Sequence, residues 1–414
     1  MPLLRGALSK VSSEAAWVAG DLLEQLRRHT KLAVLDVRNR DEFERFPLEG
    51  PALSIINFPY FEMLEAGGLE DMIDSVAACI ERDLKGKLPR SGPVLAVCAK
   101  GETSRYVMQA LERLGYEANT LEGGMKGWGN FYETRAVLDS AELRVYQISR
   151  PARGCLSYVI VSEGTAIVID PLRHLEAYVS VTRGLKIEAV IDTHGHADHI
   201  SGGRALTELT GAPYYLHPYD AIHPIDMLPA TFFYQPLRDG QVFRLGKHEL
   251  RAIHIPGHTL GLVAFLLDEE YLFTGDSIFI DSIARPDLGG KAEAWAQLHT
   301  RSLRKLLGLA AGVKVLPGHF SSLEESDDRG FFQSTLESLK KQNESLLELE
   351  RDSDGEFIQY LLGSLPRFSP EYVEIKRVNA GLASPSEDDA ASLELGKNVC
   401  GLSKAQMATT GDSR

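Results

Sequence analysis

The sequence predicts a multidomain chain of α/β and α+β type, and three observations support this. Over the N-terminal third, apolar β-branched runs alternate with helical segments, the pattern of a small unit built on a parallel sheet. Beyond about residue 144 the strand-like runs follow one another, separated by glycine-containing turns. Several of these runs end in a turn that carries histidine or aspartate, which places metal-ligand side chains at strand ends. The length of 414 residues suggests two or three domains, each able to bury a core.

Composition narrows the function classes. Hydrophobic residues at 44% and charged residues at 25% are those of a soluble globular protein. A net charge of −14 argues against nucleic acid or an anionic membrane surface as partner, so an anionic substrate would need a local basic pocket. No run approaches a membrane-spanning length, and Met1-Pro2-Leu3-Leu4-Arg5-Gly6 lacks a cationic head before an apolar core, so no secretion signal is expected. The scattered Cys79, Cys98, Cys155 and Cys400 make neither a disulfide framework nor a paired zinc site, which implies a reducing, cytoplasmic compartment. A homo-oligomer, specifically a dimer, is expected.

Taken in order, residues 11–30 read as a helix. Ser12-Ser13 serve as its cap, Glu14 sits in its first turn, and Leu22, Leu23 and Leu26 share one face. Lys31 to Arg38 reads as a strand, Asp41-Glu42-Phe43 as the start of a short helix, and Asp71 to Asp83 as a longer one. The strand Pro93 to Val97 delivers Cys98 into the loop Cys98-Ala99-Lys100-Gly101-Glu102-Thr103-Ser104-Arg105, ahead of a helix from Tyr106 to Leu114. Backbone N–H groups of such a loop and the helix dipole stabilise a thiolate or a persulfide, and Lys100 and Arg105 add positive charge. A buried structural thiol is the alternative reading of Cys98. Residues 119–128 form a further strand and turn, and Glu133 to Leu143 reads as a linker.

The pattern Leu35-Asp36-Val37-Arg38 with Glu42, the Cys98 loop, and Gly123-Gly124-Met125-Lys126-Gly127-Trp128 together resemble a rhodanese domain over residues 10–135. That resemblance implies that Cys98 carries sulfane sulfur as a persulfide, within a loop including Lys100, Gly101 and Arg105. Asp36 and Arg38 would be structural supports. The sequence departs from many rhodaneses at Phe46-Pro47-Leu48-Glu49-Gly50 and at the acidic Glu102.

Beyond the linker, residues 145–148, 155–161 and 165–170 read as successive strands, with Cys155 assigned to packing. The run Ile187 to Asp192 then ends in Thr193-His194-Gly195-His196-Ala197-Asp198-His199. Three imidazoles and a carboxylate in six residues would repel on protonation and cost desolvation, whereas a shared metal makes ligands of them. A helix from Arg204 to Thr210 follows. His258 in Pro256-Gly257-His258-Thr259, Asp276 in Thr274-Gly275-Asp276-Ser277 and His319 in Pro317-Gly318-His319 repeat one device. In each, an apolar strand is followed by a glycine that permits a tight turn and then by a ligand-type side chain. His217, His223, His248 and His254 lack that setting and read as core or surface residues. Phe331 to Leu349 reads as one amphipathic helix, and the segment from Ala380 onward as a docked arm or partly disordered tail without evident chemistry.

The four ligand-bearing turns, in this order, resemble the metallo-β-lactamase superfamily over residues 144–345, which leaves 346–414 as a C-terminal extension. The resemblance implies an αββα sandwich with metal ligands at its strand ends. It leaves two metal chemistries open. One is a dinuclear zinc hydrolase of glyoxalase II type, in which two zinc ions use the whole set and activate water. The other is the persulfide dioxygenase branch, with one Fe(II) per chain held by two histidines and a carboxylate. In that branch the ligands fall on His194, His258 and Asp276, while His196, Asp198, His199 and His319 orient ligands and substrate.

Two features favour the iron branch. The stretch Ser277 to Leu288 resembles its Arg-x-Asp signature, which implies that Arg285 binds substrate carboxylate or positions a polar network and that Asp287 holds the segment. Ile283-Ala284 stands where that branch often has a Cys-Gly pair. A rhodanese domain on the same chain also suits sulfane-sulfur chemistry, and linkage raises the effective concentration of shared intermediates. The expected enzyme oxidises a glutathione-like persulfide with O2 to sulfite and transfers sulfur among thiols, sulfite and thiosulfate. A third reading is a sulfur carrier or sensor whose metal site is mainly structural.

Overall fold

The computed structural model describes residues 16–67, 71–396 and 398–402. The chain divides into two compact units at 131/132.

In the first unit, apolar runs too continuous for a one-sided sheet form central strands buried on both faces, as parallel sheets require, while the edge strands are only half-buried. The strands are β1 (Ala16–Trp17), β2 (Leu32–Asp36), β3 (Leu53–Asn57), β4 (Val94–Val97) and β5 (Ala118–Leu121), in the order β1-β5-β4-β2-β3. All four pairings are parallel. The helices are α1 (Ala19–Arg27), α2 (Arg40–Arg45), α3 (Tyr60–Gly67), α4 (Met72–Asp83), α5 (Thr103–Arg113) and α6 (Gly124–Gly129). Helix α1 buries Leu22, Leu23 and Leu26 as expected, but it starts at Ala19 because Ala16–Trp17 pairs with β5. The cap expected at Ser12-Ser13, with Glu14, lies outside the described residues. Asp71 caps α4 by accepting from the Asp74 amide. Asp36 and Arg38 are structural, as expected. The Arg38 guanidinium binds both oxygens of Asp36 and reaches the carbonyls of Glu42 and Phe46, which ties β2 to α2.

The second unit is an αββα sandwich. Its first sheet contains β6 (Glu133–Asp139), β7 (Arg144–Arg150), β8 (Cys155–Ser162), β9 (Thr165–Ile169), β10 (Lys186–Ile191), β11 (Tyr214–Leu216) and β12 (Gln235–Pro236), ordered from β12 back to β6. The second contains β13 (Val242–Leu245), β14 (His248–His254), β15 (Val263–Leu267), β16 (Tyr271–Gly275), β17 (Lys314–Pro317) and β18 (Ser334–Thr335), in chain order. Alternate residues of each strand serve opposite faces. Ile160, Ile167 and Ile191 therefore meet Phe265, Phe273 and Leu316 between the sheets. Val159, Val168 and Val190 point outward to the layer of α7 (Glu176–Val181) and α8 (Gly203–Thr210). On the other side Leu266, Leu272 and Val315 pack under α9 (Ala292–Leu307), α10 (Leu336–Gln342), α11 (Glu344–Arg351) and α12 (Asp354–Gly363).

Two sequence expectations are corrected. The segment read as a linker is mostly β6, an edge strand paired antiparallel with β7 through a bulge between Ala136 and Leu138. The single helix expected over 331–349 is broken at Asn343. That side chain caps α11 and donates to the carbonyls of Phe279, Ile280 and Ser282, so it braces the loop after Asp276. The described part of the extension is docked, the first of the two alternatives read for the segment from Ala380. Its helices α13 (Glu371–Asn379) and α14 (Glu387–Leu393) pack Ile375 and Ala390 against Ile200 beside the histidine cluster. Among the described residues, no helix is long and apolar enough to cross a membrane.

Candidate metal centre and persulfide loop

The four ligand-bearing turns converge in the second unit. Strand β10 leads into the 193–199 loop, β14 leads towards His258, and β16 and β17 end just before Asp276 and His319. Nε2 of His194, Nε2 of His258 and Oδ2 of Asp276 are all buried and have no hydrogen-bond partner among the described residues. The ligand atoms of these residues lie within 4.8 Å of one another. Asp276 Oδ2 is 3.8 Å from His194 Nε2 and 3.5 Å from His258 Nε2. Each unsatisfied buried polar atom costs about 1–3 kcal/mol. Three of them aimed at one point fit a bound cation, which satisfies all three together.

The protein sets both imidazoles in the tautomer a metal needs. His258 Nδ1 donates to the Arg285 carbonyl at 2.8 Å, which leaves Nε2 with its lone pair. The Thr193 hydroxyl donates to Asp170, so its oxygen accepts from His194 Nδ1 at 2.9 Å. Burial, then the neighbouring His196 and His258, hold His194 well below the ordinary histidine range. Burial likewise lowers His258. Burial alone would raise Asp276, but His319 overrides it and keeps the carboxyl below its usual value. Gly318 is required by close approach, because a Cβ there would lie 2.5 Å from Asp276 Oδ1.

The other residues of the set are engaged with one another. His319 donates through Nδ1 to Asp276 Oδ1 at 2.6 Å and through Nε2 to Asp198 Oδ2 at 2.8 Å. Despite burial, those two carboxylates hold His319 well above its ordinary value. His199 Nδ1 binds Asp198 at 3.1 Å, and His196 Nε2 binds Asp170 at 3.1 Å. His196 groups with Asp170 and Asp192, apart from the set of three. Its Nδ1 and the Nε2 of His199 are also buried without a hydrogen-bond partner among the described residues.

Arg285 is fully buried, and its guanidinium binds Asp287 through Nε and Nη2 and the carbonyls of Val399 and Pro366. Arg285 and Asp287 are thus bonded to each other beside His258, and Arg285 is not among the residues that line the cavity beside His194.

Several residues were not recognisable as site residues in the sequence. Cys155, assigned to packing, has its Sγ 3.6 Å from Asp198 Oδ2 and groups with Asp198, His199 and His319. Burial and Asp198 oppose its ionisation, yet His319 and His199 bring its pKa to about 7. Asp220 accepts from the amides of Gly195 and Gly261 and from the Thr259 hydroxyl, which joins the two histidine loops. The extension adds Asn398, which donates to Asp198, and Cys400, which lies near Asp198 and Asp276. Asp170 could have been found by the strand-end rule that located Asp276. The others carry no local signal.

In the first unit, Cys98 sits between β4 and α5 as expected and is 5% exposed. Its Sγ accepts from the Gly101 amide at 3.1 Å and lies 3.4 Å from the Ser104 hydroxyl. Lys100 and Arg105 are exposed at the loop surface. The amides of Met125 and Lys126 fasten the loop from below by donating to the carbonyls of Cys98 and Ala99. Gly124 permits that contact, because a Cβ there would stand 2.3 Å from the Cys98 carbonyl oxygen.

Comparison with known proteins agrees with both halves. Residues 150–319 match the model of the metallo-beta-lactamase superfamily, and residues 19–131 match that of the rhodanese-like domain. An uncharacterized protein of Mycobacterium tuberculosis is 32% identical over 206 residues, covering 43% of this chain and 91% of its own. A hydroxyacylglutathione hydrolase of Methylococcus capsulatus is 31% identical over 251 residues, covering 59% and 88%. The crystal structure of a metallo-beta-lactamase from Staphylococcus aureus is similar at a TM-score of 0.50 and 27% identity, covering 58% of this chain and 72% of that one.

Proposed function

Because this chain belongs to the metallo-β-lactamase superfamily and carries a rhodanese-like domain ahead of that fold, we propose that it is a persulfide dioxygenase with a sulfurtransferase on the same chain. The observation that carries this reading is the set of three unpaired atoms on His194, His258 and Asp276, with Asp198 and His319 bonded to each other beside it. Two histidines and one carboxylate are the donor set of a mononuclear non-haem iron site with open positions. Bound there, Fe(II) would supply the oxygen chemistry.

The protein's own residues supply the setting. His258 and His194 are held as neutral donors by the Arg285 carbonyl and the Thr193 hydroxyl. His319 fixes Asp276 so that one oxygen faces the set. The adjoining cavity, which His194 lines, would shelter a small persulfide from bulk water with its terminal sulfur towards that histidine. One persulfide, one O2 and one water give one thiol, one sulfite and two protons. In the rhodanese-like unit, Cys98 takes a sulfane sulfur, and the Gly101 amide stabilises the resulting persulfide anion. Sulfite then accepts that sulfur as thiosulfate, or a small thiol accepts it as a new persulfide. The partners proposed are a glutathione-like thiol, O2, sulfite and thiosulfate.

A second reading, a dinuclear zinc thioester hydrolase, has two observations in its favour. His196 Nδ1 and His199 Nε2 are unpaired and could ligate further metal, and one relative is named as a hydroxyacylglutathione hydrolase. Oxygen uptake on adding glutathione persulfide, set against anaerobic hydrolysis of a glutathione thioester, separates the two readings. Uptake with sulfite formation supports the dioxygenase, and thioester hydrolysis without uptake overturns it.

A further inference from the structure

The cavity beside His194 has a volume of about 300 Å3, at the small end of ligand sites. Leu216, Tyr219, Met227, Leu260 and Trp295 make its walls largely apolar, and His194 and His196 share the lining. The C-terminal extension closes one side with Lys376 of α13. That lysine is 8% exposed, and among the described residues its ammonium donates to one acceptor, the Gly195 carbonyl, at 2.5 Å. Among the described residues, no carboxylate lies within 4.0 Å of it. Burial therefore pushes the ammonium below the usual lysine range, against the pull of Asp220 and more distant acids.

Apart from Asp192 Oδ1 and the unpaired nitrogens of His194 and His196, the other polar groups of the lining are committed or solvated among the described residues. Asp220 is occupied by two amides and a hydroxyl. One oxygen of Asp192 accepts from Tyr214. Asn379 donates to the carbonyls of His196 and His199, and Lys291 is exposed at the mouth. Lys376 is thus a buried cation, short of acceptors, facing an apolar chamber. Such a charge is strongly unfavourable unless the occupant brings an opposite one.

We infer that Lys376 anchors a carboxylate of the substrate, so that the chamber takes a low-molecular-weight thiol persulfide bearing a free carboxylate. The inference rests on the persulfide reading for the other end of the molecule, whose sulfur belongs at His194, His258 and Asp276. A carboxylate at the Lys376 end then supplies the missing counter-charge, and the apolar walls take the carbon skeleton between. The extension, which lies beyond the residues 150–319 that match the family model, would in this way set substrate choice.

The test is calorimetric titration of the full chain with glutathione and with glutathione diethyl ester, in the wild type and in the Lys376→Gln and Lys376→Arg variants. The wild type should bind the acid roughly 10- to 100-fold more tightly than the ester. Lys376→Gln should bring that ratio near one with ester binding unchanged, and Lys376→Arg should restore most of it. A ratio unmoved by Lys376→Gln would overturn the inference. So would an equal loss for acid and ester, which is what a mere brace of the Gly195 loop produces. Collapse of the ratio without oxygen uptake by the wild type would sustain the anchor and refute the dioxygenase. Oxygen uptake with an unmoved ratio would do the reverse.

Discussion

Glutamine in place of Glu394 should unfasten the C-terminal extension from the histidine loop. The Glu394 carboxylate is buried, with Oε2 3.0 Å from Arg150 Nη1 and 3.1 Å from Arg173 Nε. Its Oε1 accepts from the Ile200 amide at 2.8 Å, just past His199. Burial opposes its charge, but Arg150 and Arg173 hold its pKa at about 2, against an ordinary 4.5. At about 1.4 kcal/mol per pH unit, that gap is worth about 3 kcal/mol of folding free energy. Removing one partner of a buried pair costs about 3–5 kcal/mol, the same order. Because the folded-state pKa is depressed, the stabilisation is complete above pH 4.5 and is lost as the pH falls towards 2. Trp295 is the one tryptophan after residue 131, so in a Trp17→Phe, Trp128→Phe background its fluorescence reports urea unfolding of the second unit alone. Glu394→Gln should lose about 3 kcal/mol at pH 7, with the gap to the parent narrowing below pH 4.5. A loss below about 0.5 kcal/mol, the scale of an ordinary surface change, or a gap that ignores pH would refute the reasoning.

The two chemistries should separate by mutation. His258→Ala should lose bound metal and oxygen uptake by more than about 100-fold while thiosulfate sulfurtransfer persists, as measured by metal analysis, an oxygen electrode and a thiocyanate assay. Cys98→Ser should do the opposite with glutathione persulfide supplied, and mass spectrometry should no longer find an added sulfur atom on the first unit. Loss of both activities in either folded variant would count against two independent sites. Gly124→Ala should cost about 2 kcal/mol or more and abolish sulfurtransfer, because its Cβ has no room under the Cys98 carbonyl and the backbone there has φ +58°. A fully active, equally stable variant would contradict that account of the loop.

What could be read from the chain and what could not differ in physical kind. The ligand turns were legible because each is local, with an apolar strand, a glycine and a ligand side chain within a few residues. The Cys98 loop was legible for the same reason. Glu394, Asn398 and Lys376 act on Ile200, Asp198 and Gly195 across some 180 to 200 residues of sequence. Such pairings leave no periodic trace, so the segment from Ala380 read as a docked arm or tail without evident chemistry and Lys376 did not stand out. Cys155 looked like a packing residue because it opens a buried strand. Only the bridge between its backbone and His319 brings its sulfur to Asp198. Strand β6 looked like a linker because an edge strand with a bulge tolerates charge on its exposed side. Asn343 interrupts a continuous amphipathic pattern because its side chain serves the 279–282 loop and α11 together.

The most direct test of the central claim is to purify the full chain without oxygen, count its metals, and record oxygen uptake when glutathione persulfide is added. About one iron per chain, with uptake that yields sulfite and is lost in Asp276→Ala, is the predicted result. Two zinc ions per chain with no uptake would contradict it.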